Sequence, residues 1–232
     1  MEIELENIRE VEAIAIDAKT NWKSSIDHSL KDNGREFTCS FMANNARTAL
    51  TDLFSKLENP KTSKRCSVHV HLNIYNLTEY QIWNIIYTYL IFERLLYKLS
   101  GNRWTSNYCV PLQTFLFKKP NFEDLPQILK KYSGLHILAD GSLSTLEFRH
   151  MRGSTSIDDI VDWINIITKI HNWSIHTHKH FYLDFIPESR STSYYWQILD
   201  EIFLEDSFKL KLPSAKEDIE YGITHTKLLM FG

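Results

Sequence analysis

The segment Ser67-Val68-His69-Val70-His71-Leu72-Asn73 carries the densest chemical signal in the chain. Side chains alternate between faces along a β-strand, so His69 and His71 share one face while Val68, Val70 and Leu72 share the other. Two imidazoles side by side make a poor core and a good ligand set. The same format returns in Thr145-Leu146-Glu147-Phe148-Arg149-His150, where a carboxylate and a guanidinium share a face. At the start of the chain Glu2, Glu4 and Glu6 alternate with Ile3, Leu5 and Asn7. Three strands that each present charged groups on one face suggest a sheet lining a charged site.

Plainer readings stand beside each of these. The first-strand glutamates could form a solvated face, or an oxygen wall for a hard cation such as magnesium, which would relieve their mutual repulsion. His69 and His71 are either ligands or locally satisfied, and the lack of nearby cysteines argues against structural zinc. Glu93 and Arg94 lie within an apolar helix, so Glu93 needs a partner or a cavity edge. An ion pair to the sheet serves that need as well as catalysis does. Arg103 could clamp a phosphate or form a surface salt bridge. Glu147 and Arg149 alone read as a cross-strand ion pair. Cys109 has no evident base at triad spacing. His171, His176, His178 and His180 are tempting as zinc ligands, but no carboxylate or cysteine pattern accompanies them.

These groups need elements to position them. At 232 residues and 43% hydrophobic content, the chain can bury a sizeable core. A net charge of −3 gives no case for nucleic acid. Three cysteines without CxxC spacing fit a reducing compartment, and the charged N-terminus lacks the apolar run of a signal peptide, so a cytoplasmic location is expected. The longest apolar stretch, Ile82 to Tyr97, is shorter than a bilayer span and contains Glu93 and Arg94. It reads as a buried helix, and no membrane partner is expected.

Alternation predicts strands over residues 1–8, Arg35 to Ser40 and Ser67 to Asn73, a weak one over Val11 to Ile16, and a hairpin of Leu135 to Leu138 with Leu143 to His150 around Asp140-Gly141. Asp27 to Gly34 reads as a turn. Helices are predicted over Ala43 to Leu57, from the Thr78–Gln81 capping box to about Leu99, over Leu125 to Lys131, from Ser156 onward, and over Tyr194 to Phe203. Ile219 to Leu229 could be helix or strand. The class is α+β, with no strict βαβ order.

Read in order, several segments resemble the amidoligase family of phages and bacteria. That family falls within the carboxylate–amine ligase superfamily of glutamine synthetase and glutamate–cysteine ligase. The matching residues begin with Glu2-Ile3-Glu4, Glu6-Asn7, Asp27-x-Ser29-Leu30 and Gly34-Arg35-Glu36-Phe37. They continue through His69-Val70-His71-Leu72-Asn73, Phe92-Glu93, Gly101-Asn102-Arg103 and Asn107-Tyr108-Cys109-x-Pro111-Leu112. Lys131-Tyr132, Leu146-Glu147-Phe148-Arg149-His150-Met151 and Gly153-Ser154 complete the set. The resemblance covers residues 1 to about 170. It implies a catalytic domain over 1–171 and a C-terminal extension, 172–232, packed on it.

The resemblance implies a curved, mainly antiparallel, glutamine synthetase-like sheet with helices on its outer side and the active site in the concave face. Glu2, Glu4, Glu36, His71 and Glu147 would bind magnesium. Arg149, Arg103 and His69 would meet ATP. Glu147, Arg149 and His71 would act in catalysis. A carboxylate would attack the γ-phosphate of ATP to give an acyl phosphate, and an amine would displace phosphate to leave an amide or peptide bond. The partners would be small-molecule or peptide carboxylates and amines, in a host cytoplasm if the chain is viral. Asp27-His28-Ser29 stands where the family more often has Asp-Gly-Ser, and the first strand starts at Met1 without the usual lead residues. Two other readings compete: a non-catalytic viral binding or structural protein that keeps the fold, and a metal-dependent hydrolase built on His69 and His71.

Overall fold

The computed structural model describes residues 1–140, 143–177 and 192–231. Six strands form one open antiparallel sheet: β1 (Glu2–Leu5), β2 (Lys23–Ile26), β3 (Arg35–Thr38), β4 (Ser67–Asn73), β5 (Leu135–Asp140) and β6 (Leu143–Arg152), in the order β2-β3-β1-β4-β6-β5. Strands distant in sequence meet in the middle, β1 between β3 and β4, and β4 between β1 and β6.

Alternation gives the sheet two unlike faces. Ile3, Leu5, Phe37, Val68, Val70, Leu135, Ile137, Leu146 and Phe148 are buried in one apolar core with the helices. The residues between them, including Glu2, Glu4, Glu36, His69, His136, Glu147 and Arg149, line a cleft on the opposite face.

Helix α1 (Glu10–Lys19) replaces the strand expected over Val11 to Ile16. Glu12 accepts the Arg9 backbone N–H at 2.8 Å and starts the first turn, while Ala13 and Ile16, three apart, face the core. Val11 and Ile14 stay exposed, so the apparent alternation was an accident of helical spacing. Helix α2 (Ala46–Phe54) is shorter than expected because a single 3₁₀ turn covers residues 43–45. The turn over residues 27–34 closes the β2–β3 hairpin with Asp32 and Asn33 in the left-handed region, which short polar side chains tolerate.

Helix α3 (Glu79–Leu99) runs through the core with residues buried on nearly every side. Thr78 and Gln81 form its capping box, and Gly101 at φ 103° turns the chain after its end. Helices α4 (Leu125–Ile128), α5 (Ile157–His176), α6 (Thr192–Phe203) and α7 (Ala215–Phe231) follow. The alternatives over Ile219 to Leu229 resolve as helix. Helix α7 lies so close to α3 that a Cβ on Gly222 would come within 2.2 Å of the Ile91 carbonyl oxygen. Residues of α6 and α7 share the core of the sheet domain. Gly141, His178 and His180 lie outside the described residues. Among the described residues no helix is long and apolar enough to cross a membrane.

Candidate active site

Directly opposed strand residues carry chemistry across the sheet. Glu36 on β3 pairs with Glu4 on β1, Glu2 on β1 with His69 on β4, and Glu147 on β6 with both His71 on β4 and His136 on β5. Opposed residues keep their Cβ atoms about 4.5–5.5 Å apart, so the register alone brings these groups together. The resulting cleft encloses about 580 Å³.

One trio comprises Glu2, His69 and Glu147, each offering a ligand atom within 4.8 Å of the others. His69 Nδ1 lies 3.0 Å from Glu2 Oε2 and 3.0 Å from Glu147 Oε1. Glu147 Oε2 is 2.7 Å from His136 Nδ1, and Arg149 also pairs with this carboxylate. Burial opposes the charge on Glu147, but hydrogen bonding by His136 and His69 and the nearby positive charges hold its carboxyl well below the usual range. Burial likewise opposes ionisation of Glu2, and the histidines His69 and His71 outweigh it. Burial disfavours charge on His69, while hydrogen bonding to Glu147 and Glu2 more than offsets this and raises its pKa.

A second trio, Glu4, Asp27 and Glu36, is purely acidic and obeys the same 4.8 Å limit. Burial, reinforced by the negative charges of Glu2 and Glu4, pushes the Glu36 carboxyl up to about 7. Ser67 sits between the trios: its backbone N–H and Oγ both donate to Glu4 Oε2, at 2.7 and 2.5 Å, and its Oγ is 2.7 Å from His69 Nε2.

These donors fit hard divalent cations. Six groups supply carboxylate oxygen or imidazole nitrogen, and Glu36 stands in the repulsive field that a cation would relieve. His71 lies beside the first trio. Its buried Nε2 is 3.1 Å from Glu2 Oε1 and 4.0 Å from Glu147 Oε1 without a well-directed hydrogen bond. The trio itself closes on His69 rather than His71.

The remaining wall is basic and aromatic. Val68 pairs with Met151 and Val70 with Phe148, so Arg149 and His150 together oppose His69 in a bulge. Arg149 faces the cleft, and His150 turns into the core, where its Nε2 is 2.6 Å from the Tyr89 hydroxyl. Arg103 lines the cleft and reaches the carbonyls of Arg149 and Met151 at 3.4 and 3.3 Å. Arg65 and Lys131 also line it, and neither they nor Arg103 pairs with an acidic side chain among the described residues. Tyr108 and Tyr132 meet edge to face at 5.9 Å on the same wall.

Glu2, Glu4, Glu36, His69, Arg103, Glu147 and Arg149 thus line one cleft, and His71 lies beside its first trio. The lining residues given no site role from the sequence include Asp27, Ser67, His136, Arg65, Lys131, Tyr108 and Tyr132. His136 had a readable signal, a lone imidazole alternating with Leu135 and Ile137. Asp27 reads from the sequence as turn chemistry and Lys131 as a helix end, and Tyr108 and Tyr132 stand out only within the family-like segments.

Other candidates serve the scaffold. Glu6 accepts from Lys31 N and Ser63 Oγ at 2.9 and 3.0 Å instead of facing the cleft. Glu93 is fully buried and accepts from Leu112 N, Gln113 N and the Tyr89 hydroxyl at 2.6, 2.9 and 2.6 Å, which pins the 111–114 turn to α3. Arg94 lies over the Tyr221 ring at 3.3 Å from its centroid and ties α3 to α7. Burial pushes the Cys109 thiol up to about 11, which leaves little thiolate for nucleophilic attack. His171 and His176 bond locally to Asn172 at the end of α5.

A family model described as "Putative amidoligase enzyme" matches residues 37–171. No curated protein matches the chain.

Proposed function

The chain belongs to this amidoligase family, whose ligase-type chemistry is the premise here, and we propose that it is an ATP- and magnesium-dependent carboxylate–amine ligase. The observation that carries the reading is the pair of adjoining trios, Glu2–His69–Glu147 and Glu4–Asp27–Glu36, in one cleft with Arg149, Arg103 and Lys131. Acidic donors alone would repel a polyphosphate. Acidic donors that can hold cations, flanked by Arg149 and by Arg103 and Lys131, which pair with no acidic side chain among the described residues, suit it.

In this reading an oxygen of the substrate carboxylate bonds to the γ-phosphorus of ATP while the bond to ADP breaks. The amine nitrogen then bonds to the acyl carbon of the acyl phosphate, inorganic phosphate departs, and the nitrogen sheds a proton to phosphate or water. Magnesium, when bound, would offset charge on the phosphates and make approach of a carboxylate anion tolerable. Glu2, His69 and Glu147 would hold one ion, and Glu4, Asp27 and Glu36 another. Arg149 and Arg103 would draw charge from the phosphoryl oxygens, aimed in advance by Glu147 and by the β6 carbonyls. The glutamine synthetase-like arrangement belongs to the same proposal: a mainly antiparallel sheet shielding the acyl phosphate from water, with helices behind it.

The test is ADP release from ATP in the presence of magnesium and a mixed pool of amino acids and peptides. Wild-type protein should turn over, and a Glu4→Gln, Glu147→Gln double variant should not. Equal rates in the two, together with no ATP binding by calorimetry, would overturn the proposal. Nucleotide binding without turnover would favour a non-catalytic binding protein.

A further inference from the structure

Among the described residues Ser67 is the one side chain that hydrogen-bonds to a member of each trio, and the bonds it makes have a forced direction. Glu4 Oε2, already accepting the Ser67 backbone N–H at 2.7 Å, stands 2.5 Å from Ser67 Oγ. Two oxygens at that separation need a proton between them, and a carboxylate has none to give, so the serine hydroxyl donates to Glu4. A hydroxyl carries one hydrogen. The 2.7 Å contact between Ser67 Oγ and His69 Nε2 therefore requires the imidazole to be the donor. Ser67 and His69 are each 3% exposed, which leaves little room for water to rearrange the pattern.

We propose that Ser67 is a positioning residue that keeps the His69 proton on Nε2 and so commits Nδ1 to the space between Glu2 and Glu147. Nδ1 lies 3.0 Å from an oxygen of each carboxylate. A bare lone pair facing two carboxylate oxygens is unfavourable, so that space calls for a positive species: a proton on Nδ1, or a cation that Nδ1 ligates. The same hydroxyl orients Glu4, a member of the other trio. One serine thereby sets ligand direction on both sides of the cleft, as outer hydrogen bonds do for metal-binding histidines generally. The proton assignment stands on hydrogen-bond geometry alone, and its consequence for cations rests on the proposed function.

Proton–nitrogen correlation spectra of the full chain with isotope-labelled histidine test this, the His69 signals being assigned by their loss in His69→Asn. Wild type should show a proton on Nε2 with and without magnesium, and saturating magnesium should shift Nδ1. Ser67→Ala should lose the Nε2 hydrogen bond and bind magnesium about 10- to 100-fold more weakly by calorimetry. Ser67→Thr, which keeps the hydroxyl, should recover part of both. A neutral His69 protonated on Nδ1 in wild type would overturn the proposal whether or not the variants fold. A folded Ser67→Ala protein with wild-type His69 spectra and magnesium affinity would overturn it too. An Nε2 proton with no magnesium response at Nδ1 would support the serine assignment and count against the cation reading.

Discussion

Glu36 stands directly opposite Glu4 in the β3–β1 register, a like-charge cross-strand pair lining the cleft. Such pairs destabilise a sheet unless a cation or proton intervenes. Burial, reinforced by the negative charges of Glu2 and Glu4, pushes the Glu36 carboxyl up to about 7.

A Glu36→Gln variant should therefore differ from wild type in a pH-dependent way. The folded value of about 7 exceeds the ordinary 4.5, so the wild-type contribution is fully present below pH 4.5 and is lost as pH rises through 7. Chemical denaturation without magnesium should show Glu36→Gln gaining on wild type across that window, by on the order of 1 kcal/mol after solvent screening. Adding magnesium should favour wild type and reverse the order. A pH-independent difference would contradict this account.

Removing the Glu147 carboxylate strips partners from His69, His136 and Arg149 at once. Glu147→Ala should lower stability by about 3–5 kcal/mol, the range for breaking a buried ion pair. Glu147→Gln should retain more stability yet lose about 100-fold or more in ligase kcat. Urea denaturation and steady-state ADP assays separate the two effects.

The buried Glu93 carboxylate makes a structural prediction instead. Glu93→Ala leaves the Leu112 and Gln113 amides without their acceptor and should cost about 3 kcal/mol, visible as a lower Tm. A preserved Tm would show that the 111–114 turn does not depend on this carboxylate.

Gly222→Ala tests the packing of α7 on α3. The added methyl would meet the Ile91 backbone, so overpacking by about 1–3 kcal/mol should outweigh the gain in helix propensity of about 1 kcal/mol. Equilibrium denaturation of the two proteins decides the sign.

The elements easiest to read were those whose signals are local. The alternation of Ser67 to Asn73 gave β4 and its two faces, and the Thr78–Gln81 box with Ser100-Gly101 bounded α3 at both ends. The Glu147 and Arg149 face of β6 was legible for the same reason. Helix α1 was misread because Val11 to Ile16 is too short for a two-residue period to be told from a helical one, and the deciding contact, Glu12 with the Arg9 amide, is a cap rather than a pattern.

Residue types and periods were enough to say which side chains share a strand face, and that carboxylates, imidazoles and a guanidinium stand on the uncovered one. They could not say which strands are neighbours. Placing β1 between β3 and β4 sets Glu4 opposite Glu36 and Glu2 opposite His69, and the bulge at Arg149 and His150 turns one to the cleft and the other to the core. Those pairings join residues far apart along the chain, and their energy comes from burying one shared apolar face, a quantity that exists only once the sheet has assembled.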